Sequence, residues 1–83
     1  MYIVYVLKSI VDESTYLGQT NDLERRLEQH NKGVVASTKS KKPYMLVYYE
    51  AYMDRETAVQ REQHLKRSRF EKLKLFERIF AAT

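Results

Sequence analysis

The feature that most limits the possible folds is an apolar run near the start of the chain, YIVYVLK over residues 2–8. Aromatic, β-branched and aliphatic side chains make up nearly all of it, and so short a run is typical of a strand. Because neighbouring residues of a strand point to opposite faces, this strand is expected to be covered on both faces. The rest of the 83 residues must pack around it.

A second strand follows after a polar connection. The sequence TYLG at residues 15–18 predicts the returning strand of a hairpin, closed by Gly18. Side chains alternate between faces with a period of two along a strand. If the connection has an even number of residues, Tyr5 and Tyr16 lie opposite or diagonal to each other on the same face.

The first helix is predicted over residues 22–31. Asn21 followed by Glu24 resembles a capping box that begins it, and Gly33 supplies a left-handed stop. Its apolar stripe is short and needs the sheet to cover it.

Leu23 and Leu27 form that apolar stripe. At about 100° per residue, Arg26 and His30 emerge at the edge of the stripe and point toward the sheet. Docking of the leucines is therefore expected to bring an arginine and a histidine to the border between helix and sheet.

The second half of the chain predicts a loop, a strand and two helices. Small, polar and basic residues at 33–43 are typical of a surface loop, and YMLVYYEAY at 44–52 predicts the third strand. Asp54 is expected to cap a second helix over residues 55–66.

The two later helices differ in their apolar stripes. Ala58, Glu62 and Leu65 share one face of the second helix, so a carboxylate interrupts that stripe. Ser68 and Glu71 form a capping box that begins the third helix. The apolar stripe predicted for the third helix contains Leu73, Phe76 and Phe80.

The order β-β-α-β-α-α predicts an α+β fold, with a small three-stranded antiparallel sheet flanked by about three helices. No repeat or boundary interrupts it, so residues 1–83 are expected to form a single domain with one modest core. The chain has no cysteine, which excludes disulfides and thiolate metal sites. Since small secreted domains usually need such cross-links, a cytoplasmic location is expected. The N-terminal apolar run is too short to span a bilayer, and no membrane association is expected.

Positive charge is clustered along the chain. The net charge is +4 with a pI near 9.4, residues 32–42 contain no acid, and residues 55–78 hold eight Lys and Arg against four Glu. Such clustering indicates a phosphate-backbone partner, although a solvated surface face would look the same. The residues expected to contact nucleic acid are Lys39, Lys41, Lys42 and Lys66.

Five side chains from three parts of the chain are expected to converge at the helix–sheet border. An arginine can hold a phosphate and neutralise charge that develops on it. A glutamate with water and substrate oxygens suits a hard cation such as Mg²⁺, and a nearby tyrosine can relay a proton. The five residues are Tyr5, Tyr16, Arg26, His30 and Glu62.

Each of these residues also has a purely structural interpretation. The tyrosines can be half-buried strand aromatics, and His30 can simply favour the helix dipole. Arg26 can form an ion pair with Glu28 or Glu62. The sequence leaves these alternatives open.

The segments YLGQTNDLERRLEQHNKG at 16–33 and REQHLK at 61–66 resemble the GIY-YIG nuclease superfamily, and more closely its small single-domain bacterial members. The resemblance extends from Tyr2 to about Leu75. It implies phosphodiester hydrolysis assisted by one divalent ion, Mg²⁺ or Mn²⁺.

The resemblance also implies roles for individual residues. Glu62 is the metal ligand, and Arg26 steadies the scissile phosphate. His30 assists proton transfer, and Gly18 lets the backbone approach closely. The motif tyrosines are Tyr5 and Tyr16.

The chain departs from the family pattern in three places. The first tripeptide, Ile3-Val4-Tyr5, has no glycine, and the second reads Tyr16-Leu17-Gly18. After His30 the next histidine is His64, and no asparagine follows Asn31, so groups found in some family nucleases are missing. These departures concern catalytic efficiency more than fold.

The leading hypothesis is a divalent-metal-dependent endonuclease acting on DNA in preference to RNA, selecting structure or a lesion more than sequence. The alternative is a nucleic-acid-binding module with the same fold and little or no cleavage. A third hypothesis is an interaction domain that pairs through the strand at 44–52, because unpaired strand edges associate readily. The expected oligomeric state is a monomer or a weak dimer.

Overall fold

The computed structural model describes residues 1–81 and confirms the predicted α+β order. None of the helices in this range is long and apolar enough to cross a membrane. A short 3₁₀ turn at Lys39–Lys41 lies in the predicted loop. The strands and helices are β1 (Tyr2–Ser9), β2 (Thr15–Thr20), α1 (Leu23–Lys32), β3 (Tyr44–Tyr52), α2 (Arg55–Arg67) and α3 (Arg69–Phe80).

The sheet is antiparallel with the order β2-β1-β3, so the apolar first strand is its centre. Residues 4–7 are all buried, which confirms that both faces of β1 are covered. A bulge against β3 falls between Val6 and Leu7. β2 continues past Gly18 to Thr20, two residues beyond the predicted end, because Gln19 and Thr20 still pair with Val4 and Ile3.

Two separate apolar clusters cover the two faces of the sheet. Val4 and Val6 pack in one cluster with α2 and α3, and Leu65 is among its buried residues. Tyr5 and Leu7 belong to the other cluster, against which α1 packs through its partly buried leucines. Helices on both sides therefore position residues around β1.

The helix caps agree with the sequence except at α1. Asp54 caps α2 and Ser68 caps α3, each accepting a hydrogen bond from a backbone N–H of the first turn. The N-cap of α1 is Asp22, whose carboxylate accepts from the Arg25 N–H at 3.1 Å, so the prediction of Asn21 was wrong. The reason is that the helix begins at Leu23, which makes Asp22 the preceding residue.

The apolar stripe of α3 lies elsewhere than predicted. Leu73 is 51% exposed, whereas Leu75 is buried and Phe76 and Ile79 pack around it. Phe80 packs edge-on against Phe76. The helix is therefore rotated so that Leu75 faces the sheet, and Leu73 was wrongly assigned to the core side.

A carboxylate on β3 joins the sheet to α2. Glu50 accepts hydrogen bonds from the hydroxyls of Tyr48 and Tyr52, both at 2.6 Å, and from two nitrogens of Arg61 at 2.9 and 3.0 Å. Burial alone would raise the pKa of Glu50, but these hydrogen bonds outweigh it and lower the pKa to about 2. The Glu50–Arg61 ion pair therefore fixes α2 to β3 at the residue that immediately precedes Glu62. The Glu50–Arg61 ion pair was not predicted, although the tyrosines two positions before and after Glu50 were a usable signal.

Glu50→Gln is expected to lower the free energy of unfolding at neutral pH by about 3 kcal/mol, because it removes the negative partner of a largely buried pair. The folded-state pKa is depressed from 4.5 to about 2, so the stabilisation is present above the unfolded value and is lost as pH falls through this window. Urea unfolding across the window measures it, with the exposed Glu77→Gln as control. Equal acid sensitivity in the Glu50 variant and the wild type would contradict the assignment.

Candidate active site at the border of α1 and the sheet

The two motif tyrosines lie diagonally across the β1–β2 pair. Tyr5 is opposite Gly18 and Tyr16 is opposite Leu7, so both tyrosines share one face, as predicted. Their ring centroids are 6.3 Å apart. Tyr5 is only 1% exposed, whereas Tyr16 is half-buried. Only the second of the two therefore reaches the surface.

Gly18 provides the space in which the Tyr5 ring lies. A Cβ at this position would lie 2.5 Å from the Tyr5 hydroxyl oxygen and 2.6 Å from Cζ, closer than real side chains approach. Tyr16 Cε2 would be 3.0 Å away. The close approach that this glycine permits is thus to the tyrosine itself.

Gly18→Ala is expected to push the Tyr5 ring aside and to lower the free energy of unfolding by about 1–3 kcal/mol, the usual cost of overpacking. The displaced hydroxyl should also lose its contact with His30, which the imidazole ¹⁵N shifts report. Thr15→Ala, at an exposed position of the same strand, is the control. Unchanged stability together with unchanged imidazole shifts would show that the ring has free space elsewhere.

His30 is completely buried inside a group of tyrosines. Its Nε2 lies 2.9 Å from the Tyr5 hydroxyl, and its Nδ1 lies 2.7 Å from Thr38 Oγ1. The ring packs edge-on against Tyr16 at 4.8 Å between centroids, and the Tyr44 ring lies 6.2 Å away. Any effect of His30 on a bound substrate must therefore pass through Tyr5 or Tyr16.

The partners of His30 indicate its tautomer. The Thr38 hydroxyl donates to the Val35 carbonyl at 3.4 Å, so its oxygen accepts from Nδ1–H of His30. Nε2 then carries the lone pair that accepts from the Tyr5 hydroxyl. Burial and the nearby Arg26 charge both lower the pKa of His30, which keeps it neutral at neutral pH. Thr38 was not predicted, because it lies in a loop eight residues from His30.

Arg26 lies beside Tyr5, Tyr16 and His30, and its hydrogen-bond partners are neutral. Its Nη1 donates to Gln29 Oε1 at 3.1 Å, and hydrogen bonding to the Tyr5 hydroxyl raises the pKa of Arg26. Burial raises the pKa of Tyr5 to about 12, although the hydrogen bond from Arg26 acts in the opposite direction. Tyr5 therefore keeps its proton at neutral pH.

Neither of the ion pairs considered for Arg26 is formed. Glu28 pairs with Lys32, and Glu62 Oε2 lies 3.3 Å from Lys66 Nζ. Within residues 1–81, no carboxylate comes within 4.0 Å of the Arg26 guanidinium. Its charge is thus available to an external anion.

Glu62 lies on α2, which packs on the face of the sheet opposite α1, so it does not share the α1 border with the other four predicted site residues. It lies between the buried Ala58 and Leu65 and its side chain is 20% exposed, which confirms the interrupted stripe. Beyond burial, its negative charge also contributes to the raised pKa of Tyr5. Glu62 is therefore within electrostatic reach of Tyr5.

The donor set suits a cation that is shared with a ligand. No cluster of three or more His, Cys, Asp or Glu side chains occurs among residues 1–81, so a closed protein cage for a metal is absent there. Mg²⁺ keeps several waters and needs only one or two protein carboxylates together with substrate phosphates. A single hard oxygen ligand, Glu62, fits that requirement. The exposed ion pair with Lys66 is weak, so a divalent cation can replace it.

The predicted phosphate-contacting lysines fall into two groups. Lys39 and Lys41 lie on the 3₁₀ turn beside the end of β1, where Lys41 Nζ is 3.4 Å from Asp12 and its carbonyl accepts from Ser9 Oγ. Lys42 passes close to Gly33. Lys66 lies on α2 next to Glu62. The structure therefore brings Lys66 to the candidate site and places the other three at the Ser9 end of β1.

Comparisons with known proteins concern the family and the fold of this chain. The model of the GIY-YIG catalytic domain matches residues 1–74. A UPF0213 protein of Clostridium perfringens is 43% identical over 77 residues, covering 90% of this chain and 82% of that protein. One from Oceanobacillus iheyensis is 41% identical over 76 residues, covering 89% of this chain and 87% of that protein. The solution NMR structure of a UPF0213 protein from Bacillus halodurans has a TM-score of 0.57 at 35% identity, covering 93% of this chain and 84% of that one.

Proposed function

The chain belongs to the GIY-YIG catalytic domain family, and from this premise we propose that it hydrolyses phosphodiester bonds in nucleic acid as a divalent-metal-dependent endonuclease. The observation that carries the proposal is that the Arg26 guanidinium is positioned but not neutralised. Neutral groups hold its guanidinium beside two tyrosines, and no carboxylate among residues 1–81 neutralises it. A positioned, unpaired guanidinium suits the charge that develops on a phosphate in the transition state.

Burial suggests how the work is divided among the residues. Arg26 binds a non-bridging oxygen of the scissile phosphate, and the hydroxyl of Tyr16, a half-buried residue, takes part in proton transfer at the surface. Tyr5 donates its proton to Nε2 of His30 and accepts from Arg26, which fixes the direction of the guanidinium. Tyr5 and His30 are thus positioning residues in this arrangement.

Glu62 would hold Mg²⁺ or Mn²⁺ together with water and the substrate phosphate. When bound, the ion supplies charge balance on the phosphate and on the leaving oxygen. The ion would share with Lys66 the compensation of a carboxylate that lies between Ala58 and Leu65, a position where an uncompensated charge is costly.

We further propose DNA as the substrate, selected by structure or by a lesion more than by base sequence, and a cytoplasmic location. The supporting observation is the kind of contact available. Lys39, Lys41, Lys42 and Lys66 suit backbone phosphates, and phosphate contacts position a nucleic acid without carrying sequence information.

The second candidate function is a nucleic-acid-binding module with little or no cleavage. It is favoured by the burial of Tyr5, which is 1% exposed and engaged with His30, so that one of the two motif tyrosines is removed from the surface. Such a module would bind with strong salt dependence and leave the strand intact.

Incubation with nicked, branched, single-stranded and plain duplex DNAs, and with matching RNAs, separates the two candidates. Each substrate is tested with Mg²⁺, with Mn²⁺ and with chelator. Metal-dependent cleavage of any one of them supports the nuclease. Salt-sensitive binding with all strands intact would support the module and reject the nuclease.

A further inference from the structure

An open cleft of about 460 Å³ lies beside Arg26, at the end of the sheet where β1 begins and β2 ends. Tyr2 of β1, Gln19 of β2, and Arg25 and Arg26 of α1 line it together with Arg55, the first residue of α2. Its volume lies within the range of pockets that take small ligands. Arg26 is shared with the candidate active site, so the two are continuous.

The cleft is strongly positive. Three arginine side chains line it, and Asp22 is the acidic residue among its lining residues. The Asp22 carboxylate accepts a hydrogen bond from the backbone N–H of Arg25, as the cap of α1. In the part of the chain that the structure describes, no acidic side chain lies within 4.0 Å of the Arg25 or Arg55 guanidinium. These two charges are therefore as available to an anion as that of Arg26.

The other lining groups suit a nucleotide better than a bare anion. The guanidinium of an arginine can bind two phosphate oxygens at once. The amide of Gln19 offers both a donor and an acceptor, and the ring of Tyr2 offers an aromatic surface. An aromatic ring can stack on a base only when the face of that base is free, as it is in an unpaired nucleotide.

We propose that this cleft binds an unpaired nucleotide of the substrate strand next to the scissile phosphate, with Arg25 and Arg55 on its phosphate. The inference rests on the proposed function, because it takes Arg26 as the contact to the scissile phosphate. It deepens that function, since a subsite for an unpaired nucleotide gives a physical reason for selecting nicked or branched DNA over plain duplex.

The test is binding without divalent metal over a range of salt concentrations. The probe is a short fluorescein-labelled single-stranded oligodeoxynucleotide of mixed sequence. Arg25→Gln combined with Arg55→Gln should flatten the log–log salt slope by about 0.7, since the two arginines share one phosphate and each phosphate neutralised on a single strand contributes about 0.7. The control pair, Arg69→Gln with Lys74→Gln on α3, removes the same charge and should leave the slope unchanged. Equal effects of the two pairs, or no effect of the cleft pair, would overturn the proposal.

Two further arms sharpen the result. A blunt duplex of the same sequence should show a smaller change in slope with the cleft pair than the single strand does, and an equal change would overturn the unpaired-nucleotide assignment. Arg55→Gln alone should flatten the slope by less than the pair does, because Arg25 still contacts the same phosphate. Thermal melts of every variant confirm that exposed arginines were replaced without loss of the fold.

Because the binding assay contains no metal, it is independent of cleavage. If no DNA or RNA is cut but the cleft pair flattens the slope, the cleft binds a nucleotide, but the nuclease proposal fails and the assignment of the cleft to a scissile phosphate fails with it. If a substrate is cut but the cleft pair binds like the wild type, the nuclease stands and the subsite is overturned.

Discussion

Arg26→Ala is expected to slow single-turnover cleavage by about 10³-fold, with a much smaller change in affinity for nucleic acid. One guanidinium is a small share of the phosphate contacts, but it is a large share of the charge stabilisation that exists only in the transition state. The fold should survive, because the side chain is half-exposed and its partners Tyr5 and Gln29 are neutral.

Two controls make this result specific to Arg26. Arg69→Ala removes an equivalent charge from α3 and should cleave at the wild-type rate. Leu27→Ala, one residue along α1 in the apolar cluster, should lower stability by about 2 kcal/mol and leave the rate per folded molecule unchanged. If Arg26→Ala melts early but keeps the wild-type rate per folded molecule, Arg26 is structural and the nuclease proposal loses its main support.

Glu62→Gln should reduce metal-dependent cleavage by at least about 100-fold and leave the fold intact. A metal ion contributes several kcal/mol to the transition state, and each tenfold in rate is about 1.4 kcal/mol. The loss in stability should be small, because the ion pair with Lys66 is an exposed i,i+4 pair worth about 0.5 kcal/mol.

The measurement is the rate as a function of Mn²⁺ concentration, with Glu77→Gln as the matched control. A Glu62 variant that cleaves at the wild-type rate with the wild-type Mn²⁺ dependence would remove Glu62 from the site. A strongly destabilised variant would instead show that the carboxylate holds α2 in place, a role that the structure gives to Glu50 through Arg61.

Several features of the candidate site were predictable because they depend on short-range geometry. Alternation along a strand puts Tyr5 and Tyr16 on one face once the hairpin closes. Helical spacing carries Arg26 and His30 to the border when Leu23 and Leu27 dock. Helical spacing was not sufficient on α3, because Leu73 and Leu75 are both plausible core residues and only packing against the sheet chooses between them.

The sequence by itself determined the order of elements, the burial of both faces of β1 and the common location of Tyr5, Tyr16, Arg26 and His30, because these depend mainly on local periods and caps. The tertiary structure alone decided which distant side chains meet. Thr38, in a loop, is hydrogen-bonded to Nδ1 of His30 and so indicates its tautomer. Arg61 of α2 donates a hydrogen bond to Glu50 of β3. Arg55 joins Arg25 at one cleft although 30 residues separate them. Such contacts depend on how whole elements pack, which no local pattern of residues specifies.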